Sequence, residues 1–451
     1  VEYLSNARRR ISFLEGDELP APLNAIIDLD ESALQTSEVP AGLLGGIPFV
    51  VKDNIHVKGW ASAAGSAVFQ SPSDDDAPLI ERLRNAGAIP IASANMTEWA
   101  AAGSSQIEDG YSERGGLTGN PWALDRSAGT SSSGSAAAVA AGYAPFALGT
   151  ETIGSLCMPA SHCGIYAMKA TRGGVPSSGI VPFSGAQDVP GIFARNVTDL
   201  TLVMSVLLGR DLSRVSQVKV RVAFDADLSD PEQTDEELFL AFQDFAMKLR
   251  LNNPNFSTVP RIEASEYSRM DAVLNAELAR DLDQYLRNRV GSSWQSLEDA
   301  DRFSSFPFTS WGDGPAPRYD LFLKALTQSE VDISLERSAM ERYFRSLLEN
   351  MIGNDDVVVS VAYGPAEKTD VTRRSKRAPY RYHSFLDGIS SSVGWPAITT
   401  PFIQVDGLPA GLIFVGRPGG EEFLLSAVSQ LTSDGSLPTF ATPRWRLPRR
   451  G

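Results

Sequence analysis

Three strings in the first 160 residues hold side chains that could do chemistry together. Ser127-Ala-Gly-Thr-Ser-Ser-Ser-Gly-Ser135 and Gly149-Thr-Glu-Thr-Ile-Gly-Ser-Leu-Cys-Met-Pro-Ala160 crowd serine hydroxyls and glycine-rich backbone into short loops. A serine becomes a nucleophile only when a neighbouring base takes its proton. Histidine is the usual base, but the chain has only His56, His162 and His383 and no G-x-S-x-G elbow. A buried lysine is the alternative, because desolvation disfavours its charged form and draws a free pKa of about 10.4 toward neutrality. Of the eight lysines, Lys52 directly follows the apolar run Ile47 to Val51, so a buried strand would carry it inward. Taken alone, that string fits equally well a lysine snorkelling at a strand end. A Ser/Gly loop taken alone is also an ordinary linker or helix cap. Here the loop stands between a turn and an Ala-rich run, which lets amides and hydroxyls converge on one buried point.

Other chemistries have less to stand on. Cys157 and Cys163 make neither a disulfide framework nor a four-ligand zinc site, and no H-E-x-x-H, Walker A or G-x-G-x-x-G pattern occurs. Ser216-Gln-Val-Lys219 fits the S-x-x-K of penicillin-binding enzymes, yet no S-D-N or K-T-G follows it. His162 and Cys163, close behind the second loop, read as packed interior side chains. The charge balance of 40 basic against 55 acidic residues, net −15, argues against a sequence-independent hold on nucleic acid or an anionic membrane.

The three strings in this order resemble the amidase signature family, serine hydrolases with a Ser-cisSer-Lys triad. The family's Gly-Gly-Ser-Ser-Gly-Gly-Ser loop is similar to Gly129-Thr-Ser-Ser-Ser-Gly-Ser135, and its Gly-Thr-Asp-Thr-Gly-Gly-Ser segment to Gly149-Thr-Glu-Thr-Ile-Gly-Ser155. Val51-Lys-Asp53 matches the preceding Val-Lys-Asp, and Gly394-Trp-Pro-Ala-Ile398 and Gly407-Leu-Pro-Ala-Gly-Leu412 through Gly416 match two later segments. The resemblance spans nearly the whole chain. It implies Ser155 as nucleophile, Ser131 as the bridging serine behind a cis peptide bond, and Lys52 as base. The backbone of Thr152, Ile153 and Gly154 would form the oxyanion hole, with Ser132 supporting Ser131 through its hydroxyl. Three positions depart from the pattern: Thr130 and Ile153 replace smaller or acidic residues, and Cys157 stands where many members have arginine, which weakens any case for an anionic substrate. Thr97-Glu-Trp-Ala100, Tyr111-Ser-Glu-Arg-Gly-Gly116 and the triple serine Ser131 to Ser133 resemble the peptide amidase branch, in which Trp99 and Tyr111 would line a channel or simply pack in the core.

The implied activity is hydrolysis of a neutral carboxamide, from a peptide C-terminal amide to a small aliphatic or aryl amide, giving a carboxylic acid and ammonia or an amine. Two other readings stand beside it: the glutaminase-type subunit of an amidotransferase, and a non-catalytic amide-binding paralogue. No cofactor and no metal are expected, and the partners expected are a small-molecule or peptide amide, without nucleic acid or membrane, on a monomer or homodimer. A cytoplasmic location is expected, with secretion open if a leader was removed; the sequons at Asn95, Asn196 and Asn255 fit either compartment.

These residues need a scaffold. Hydrophobic residues at 43% and charged residues at 21% are those of an ordinary globular chain with a large core. Ile47 to Val51 and Ile89 to Ala92 read as buried strands, with a helix between them carrying Leu79, Ile80, Leu83 and Ala86 inward and stopping at Gly87. Ser135 to Ala141 reads as a small-residue helix packed between layers. From about 212 to 354 the texture turns to long charged helices, one opened by a Thr234–Glu237 capping box with Leu238, Ala241, Phe242, Phe245 and Leu249 inward, another over Ser334 to Met351. Strand texture returns at Val357 to Val361 and Gly411 to Gly416. Although 451 residues is about three domains on length alone, no Pro/Gly/Ser linker divides the chain. The expectation is one α/β domain over 1–451, a central mixed β-sheet flanked by helices, with its core at about 20–210 and 355–440 and a helix-rich insertion at about 212–354.

Overall fold

The computed structural model describes residues 2–16, 22–36, 38–67, 71–104, 107–213, 218–225, 235–250, 255–289, 295–299, 319–328, 333–369, 385–438 and 440. Its strands are β1 (Ile26–Leu29), β2 (Pro48–Lys52), β3 (Ile89–Ala94), β4 (Tyr111–Ser112), β5 (Gly116–Leu117), β6 (Gly119–Asn120), β7 (Ala123–Ser127), β8 (Phe146–Glu151), β9 (Tyr166–Lys169), β10 (Val189–Ala194), β11 (Val220–Asp225), β12 (Asn255–Val259), β13 (Val357–Val361), β14 (Ala397–Val405) and β15 (Leu408–Gly416). Eleven of them form one mixed sheet in the order β1-β3-β2-β8-β10-β9-β14-β15-β13-β11-β12. β2 runs parallel to both β3 and β8, while β10 lies antiparallel to both β8 and β9. β4 to β7 make two small hairpins apart from it.

The α-helices are α1 (Glu2–Leu14), α2 (Glu31–Gln35), α3 (Pro78–Asn85), α4 (Ser133–Ala140), α5 (Cys157–Cys163), α6 (Val197–Leu208), α7 (Glu236–Arg250), α8 (Ala264–Asn288), α9 (Asp320–Gln328), α10 (Ser334–Ile352), α11 (Leu386–Val393) and α12 (Glu421–Ser433). They cover both faces of the sheet, as one large α/β domain requires. Strand alternation divides the core: Phe49 and Val51 of β2 belong to the apolar cluster that also takes in residues of α3, α6, α7 and α12, whereas Val50 belongs to the one that takes in α1 and the alanines of α4. Lys52 shares its parity with Val50, so the strand turns it toward the side on which α4 lies.

α4 has no apolar stripe because every one of its residues is buried. Serine, glycine and alanine side chains are what allow a helix to lie inside the layers, and at Gly129, ahead of it, φ is +87° and a Cβ would stand 2.7 Å from the Pro159 backbone. α4 begins at Ser133, ahead of the Ser135 start read from the sequence, and α3 ends at Asn85, just short of Gly87, whose φ is +91°.

Two strands lie within the stretch expected to be a helix-rich insertion. β11 pairs parallel with β13 and with β12, extending the sheet at its far edge. The described part of the segment from 212 to 354 is therefore rich in helix, with two strands that extend the sheet. Its long helices dominate the periodicity, and two short edge strands between them leave little signal of their own. The stripe Leu238, Phe242, Phe245 and Leu249 is buried, as is Met340, Phe344 and Leu348 in α10. Thr234 lies outside the described residues, while Glu237 sits in the first turn of α7. Among the described residues no helix is long and apolar enough to cross a membrane.

Candidate active site

β2, β8 and the N-terminus of α4 bring the three strings to one point. Lys52 Nζ lies 2.7 Å from Ser131 Oγ, and Ser131 Oγ lies 3.1 Å from Ser155 Oγ. The Thr130–Ser131 peptide bond is cis. Lys52 and Ser131 are wholly buried, while Ser155 keeps 7% exposure, so the chain of hydroxyls runs from a dry interior outward to its one reachable end.

The surroundings of Lys52 are hydroxyls and a carbonyl rather than a carboxylate. Thr150 accepts from its ammonium through both Oγ1, at 2.8 Å, and the backbone carbonyl, at 3.3 Å. Burial pulls its pKa down to about 7, against an opposing pull from the fields of Asp188 and Glu151. Asp53, the next residue, is a fixing point: its buried carboxylate takes Ser93 Oγ at 2.7 Å, Gly65 N–H at 2.8 Å and the Arg114 guanidinium at 2.8 Å.

The loop after β8 is held from below. Glu151 Oε2 accepts the N–H groups of Leu156 and Cys157 at 2.8 and 3.1 Å, and Oε1 pairs with Lys169 at 2.7 Å. Its turn needs Gly154, whose φ is +70° and whose Cβ would lie 2.7 Å from both Asp387 Oδ2 and Tyr363 Oη. The backbone N–H groups of Ile153, Gly154 and Ser155 donate to no group among the described residues, which leaves a row of donors beside the Ser155 hydroxyl. Such preorganised donors can bind an oxyanion.

Ser132 differs from its expected part. Its hydroxyl donates to the Thr150 carbonyl at 3.1 Å and accepts from the Thr150 N–H at 3.3 Å, so it braces the end of β8 instead of bonding to Ser131. Ser132 is the N-cap of α4, and from there its side chain reaches β8. Thr130, in the place of a glycine, puts its hydroxyl 3.0 Å from Thr97 Oγ1, and the Thr97 N–H donates to the Ser131 carbonyl at 3.0 Å. The departure thus ties the serine loop to the segment after β3.

Trp99 is both core and lining. It packs edge-on against Phe322, 5.7 Å between ring centres, and borders a small cavity with Asn54, Met96, Phe183, Leu278 and Leu282. Tyr111 is buried. His162 is buried against the ring of Tyr363, with desolvation holding its pKa down near 3, and Cys163 is a buried free thiol. Neither touches the three-residue chain; His383 and Ser216 lie outside the described residues.

Sequence reasoning missed Thr150, Gln187, Asp188 and the Glu151–Lys169 pair. Thr150 and Glu151 stand inside the Gly149 to Ser155 string, where being flanked by motif residues was the available signal. Asp188 and Gln187 had none, since they come from a loop that meets the site only through the fold. Asp188 accepts from Thr152 Oγ1 at 2.5 Å and from the N–H groups of Phe183 and Ser184 at 2.7 and 3.0 Å, and burial lifts its pKa to about 6.

The Amidase family model matches residues 21–425, and the chain belongs to that family, the amidase signature family. A glutamyl-tRNA(Gln) amidotransferase subunit from Clostridium botulinum (strain Eklund 17B / Type B) is 30% identical over 426 residues, covering 90% of this chain and 86% of the relative. Among solved structures, native peptide amidase from Stenotrophomonas maltophilia superposes with a TM-score of 0.82 at 26% identity, over 99% of this chain and 95% of that one. The peptide amidase PAM in complex with the competitive inhibitor chymostatin gives 0.83, also at 26% identity, over 98% and 95%.

Proposed function

We propose that the protein hydrolyses a neutral carboxamide through an acyl-enzyme on Ser155. The observation that carries this reading is the continuous contact from Lys52 through Ser131 to Ser155, at 2.7 and 3.1 Å. With Lys52 neutral, its lone pair takes the Ser131 proton while Ser131 takes that of Ser155. The Ser155 oxygen then adds to the amide carbon, and the oxyanion is held by the N–H groups of Ile153, Gly154 and Ser155, with Thr152 at the start of that loop. Collapse breaks the C–N bond, and the proton returns through Ser131 to the leaving nitrogen. Water hydrolyses the ester by the same relay, which frees the acid and restores Ser155. Each oxyanion donor is typically worth about 3 kcal/mol of transition-state stabilisation.

The favoured substrate is a peptide carrying a C-terminal amide. The full-length likeness to peptide amidases supports this. Cys157, in the place of an arginine, supports an uncharged substrate. The amidotransferase reading keeps one specific observation in its favour, the 30% identity to a glutamyl-tRNA(Gln) amidotransferase subunit over 90% of the chain. An ammonia-release screen over primary amides, amidated dipeptides and free glutamine separates the two. Turnover of amidated dipeptides by size-exclusion fractions of the lone chain is the result expected; release from glutamine alone, and only with an added partner, would overturn it.

A further inference from the structure

The loop between β9 and β10 reaches the turn at Thr152 through Gln187 and Asp188. Gln187, fully buried, donates Nε2–H to the Thr152 carbonyl at 3.0 Å. A peptide unit is planar and trans, so its C=O and the following N–H point in opposite directions. Holding the Thr152 carbonyl on Gln187 therefore aims the Ile153 N–H away from Gln187. The same residue is fixed a second way, because Asp188 takes the Thr152 hydroxyl at 2.5 Å.

That loop is itself clamped by the segment from 212 to 354. Arg337 of α10 donates to Gln187 Oε1 at 2.7 Å and to Glu277 Oε1 of α8 at 2.9 Å. Ser184 Oγ donates to Glu277 Oε2 at 2.6 Å, and the Gly185 N–H to Asp281 Oδ2 at 2.7 Å. Glu277 is buried, and Arg337 keeps only 11% of its side-chain exposure, so the pair is a fixed fork rather than a surface contact.

We propose that Gln187 is a positioning residue for the oxyanion hole, held in place by the Arg337–Glu277 pair, so that α8 and α10 govern transition-state stabilisation at Ser155. This rests on the acyl-enzyme reading above. Gln187 touches no reacting atom; it orients the peptide that does. Its loss should spare substrate binding and proton transfer while weakening whatever depends on the Ile153 N–H.

The test uses Gln187→Glu and Gln187→Leu. The glutamate keeps an acceptor for Arg337 and, ionised, has no proton to give the Thr152 carbonyl; the leucine removes both bonds. The substrate is the amide turned over fastest in a panel of blocked amino-acid amides, and the probe is the aldehyde of the same acyl group, whose adduct with a serine carries a tetrahedral oxyanion. Both variants should lose roughly 10- to 100-fold in kcat, part of the full effect of one donor, with KM within about twofold and, in the uncharged Gln187→Leu, the pH of the acid limb unmoved. Aldehyde affinity should fall by the same factor as kcat. Arg337→Met should give a similar pattern, and Arg337→Lys a smaller one. Wild-type kcat and aldehyde affinity in Gln187→Glu would overturn the inference, as would equal losses in aldehyde and substrate binding, which a merely structural role produces. Labelling of wild-type Ser155 by a sulfonyl fluoride tests the underlying reading separately: if Ser155 does not react, that reading fails whatever the Gln187 variants do.

Discussion

Two lysines are buried at the ends of neighbouring parts of one sheet, and their surroundings make them opposites. Lys52, at the end of β2, meets Ser131 and Thr150, with no carboxylate in hydrogen-bonding contact among the described residues. Lys169, at the end of β9, meets Glu151 at 2.7 Å and the Ser391 hydroxyl, and Glu151 in turn holds the N–H groups that open α5. Both are nearly free of solvent, at 0% and 4%. Burial alone therefore does not make a base. Desolvation without a contacting counter-ion lowers a lysine toward neutrality, whereas a carboxylate partner turns it into an ion-paired strut.

The largest effects should follow from breaking the Lys52 side of this comparison. Ser155→Ala should cost on the order of 10⁴-fold or more in kcat, as losing the nucleophile of such a relay does, and Lys52→Ala should cost a comparable factor. Steady-state ammonia release checks both. Near wild-type turnover in either variant contradicts the assignment.

The Lys169 side should fail differently. Lys169→Met leaves Glu151 buried without its counter-ion and should cost about 3–5 kcal/mol of stability, the usual penalty for orphaning one member of a buried pair. Urea unfolding reads this, and adding Glu151→Gln should recover part of the loss. Activity in the single variant should fall with the folded fraction and with the geometry of the 152–155 turn, not with any change in the acid limb.

The pH profile sharpens the contrast. Activity should rise through about pH 7 and level off above it, because the base must lose its proton. His56 and His162 are held neutral well below that range, near 4 and 3, by burial, with Arg289 adding to the effect at His56. His56→Ala and His162→Ala should each leave the limb where it is. Asp188→Asn removes a negative field that raises the Lys52 pKa, so the limb should move to lower pH.

The smallest effect concerns stability. A lysine pKa lowered from its unfolded value means that the unfolded chain binds more protons between about pH 7 and 10.5, so this group's contribution grows more favourable as pH rises across that window and its cost is greatest below it. Lys52→Met should be inactive yet no less stable near neutrality, since an uncharged side chain of similar length avoids the desolvation cost. A melting temperature well below wild type at pH 7 would contradict this.

The difference between the two lysines was only half visible in the sequence. Lys52 stood out because an apolar strand precedes it and two serine-rich loops follow at fixed spacing, all local signals. Lys169 closes the string Tyr166 to Lys169, which looks like any other strand end, and its partner Glu151 reads as part of a motif rather than as half of an ion pair. Gln187 and Asp188 lie in a turn-rich stretch whose meaning comes from the antiparallel return of β10 beside β8. The fold shows the same split. Strands with strong apolar runs were legible, and β11 and β12 were not, because a sheet edge between amphipathic helices carries weak periodicity.

The most direct test is the rate at which a sulfonyl fluoride modifies the enzyme as a function of pH, with the site identified by mass spectrometry of the digested adduct. Modification is expected at Ser155, at a rate that climbs with pH to a plateau above about 7 and is nearly abolished in Lys52→Met, while the histidine variants follow the wild-type curve. Modification at another residue, or an acid limb that disappears when a single histidine is replaced, would contradict it.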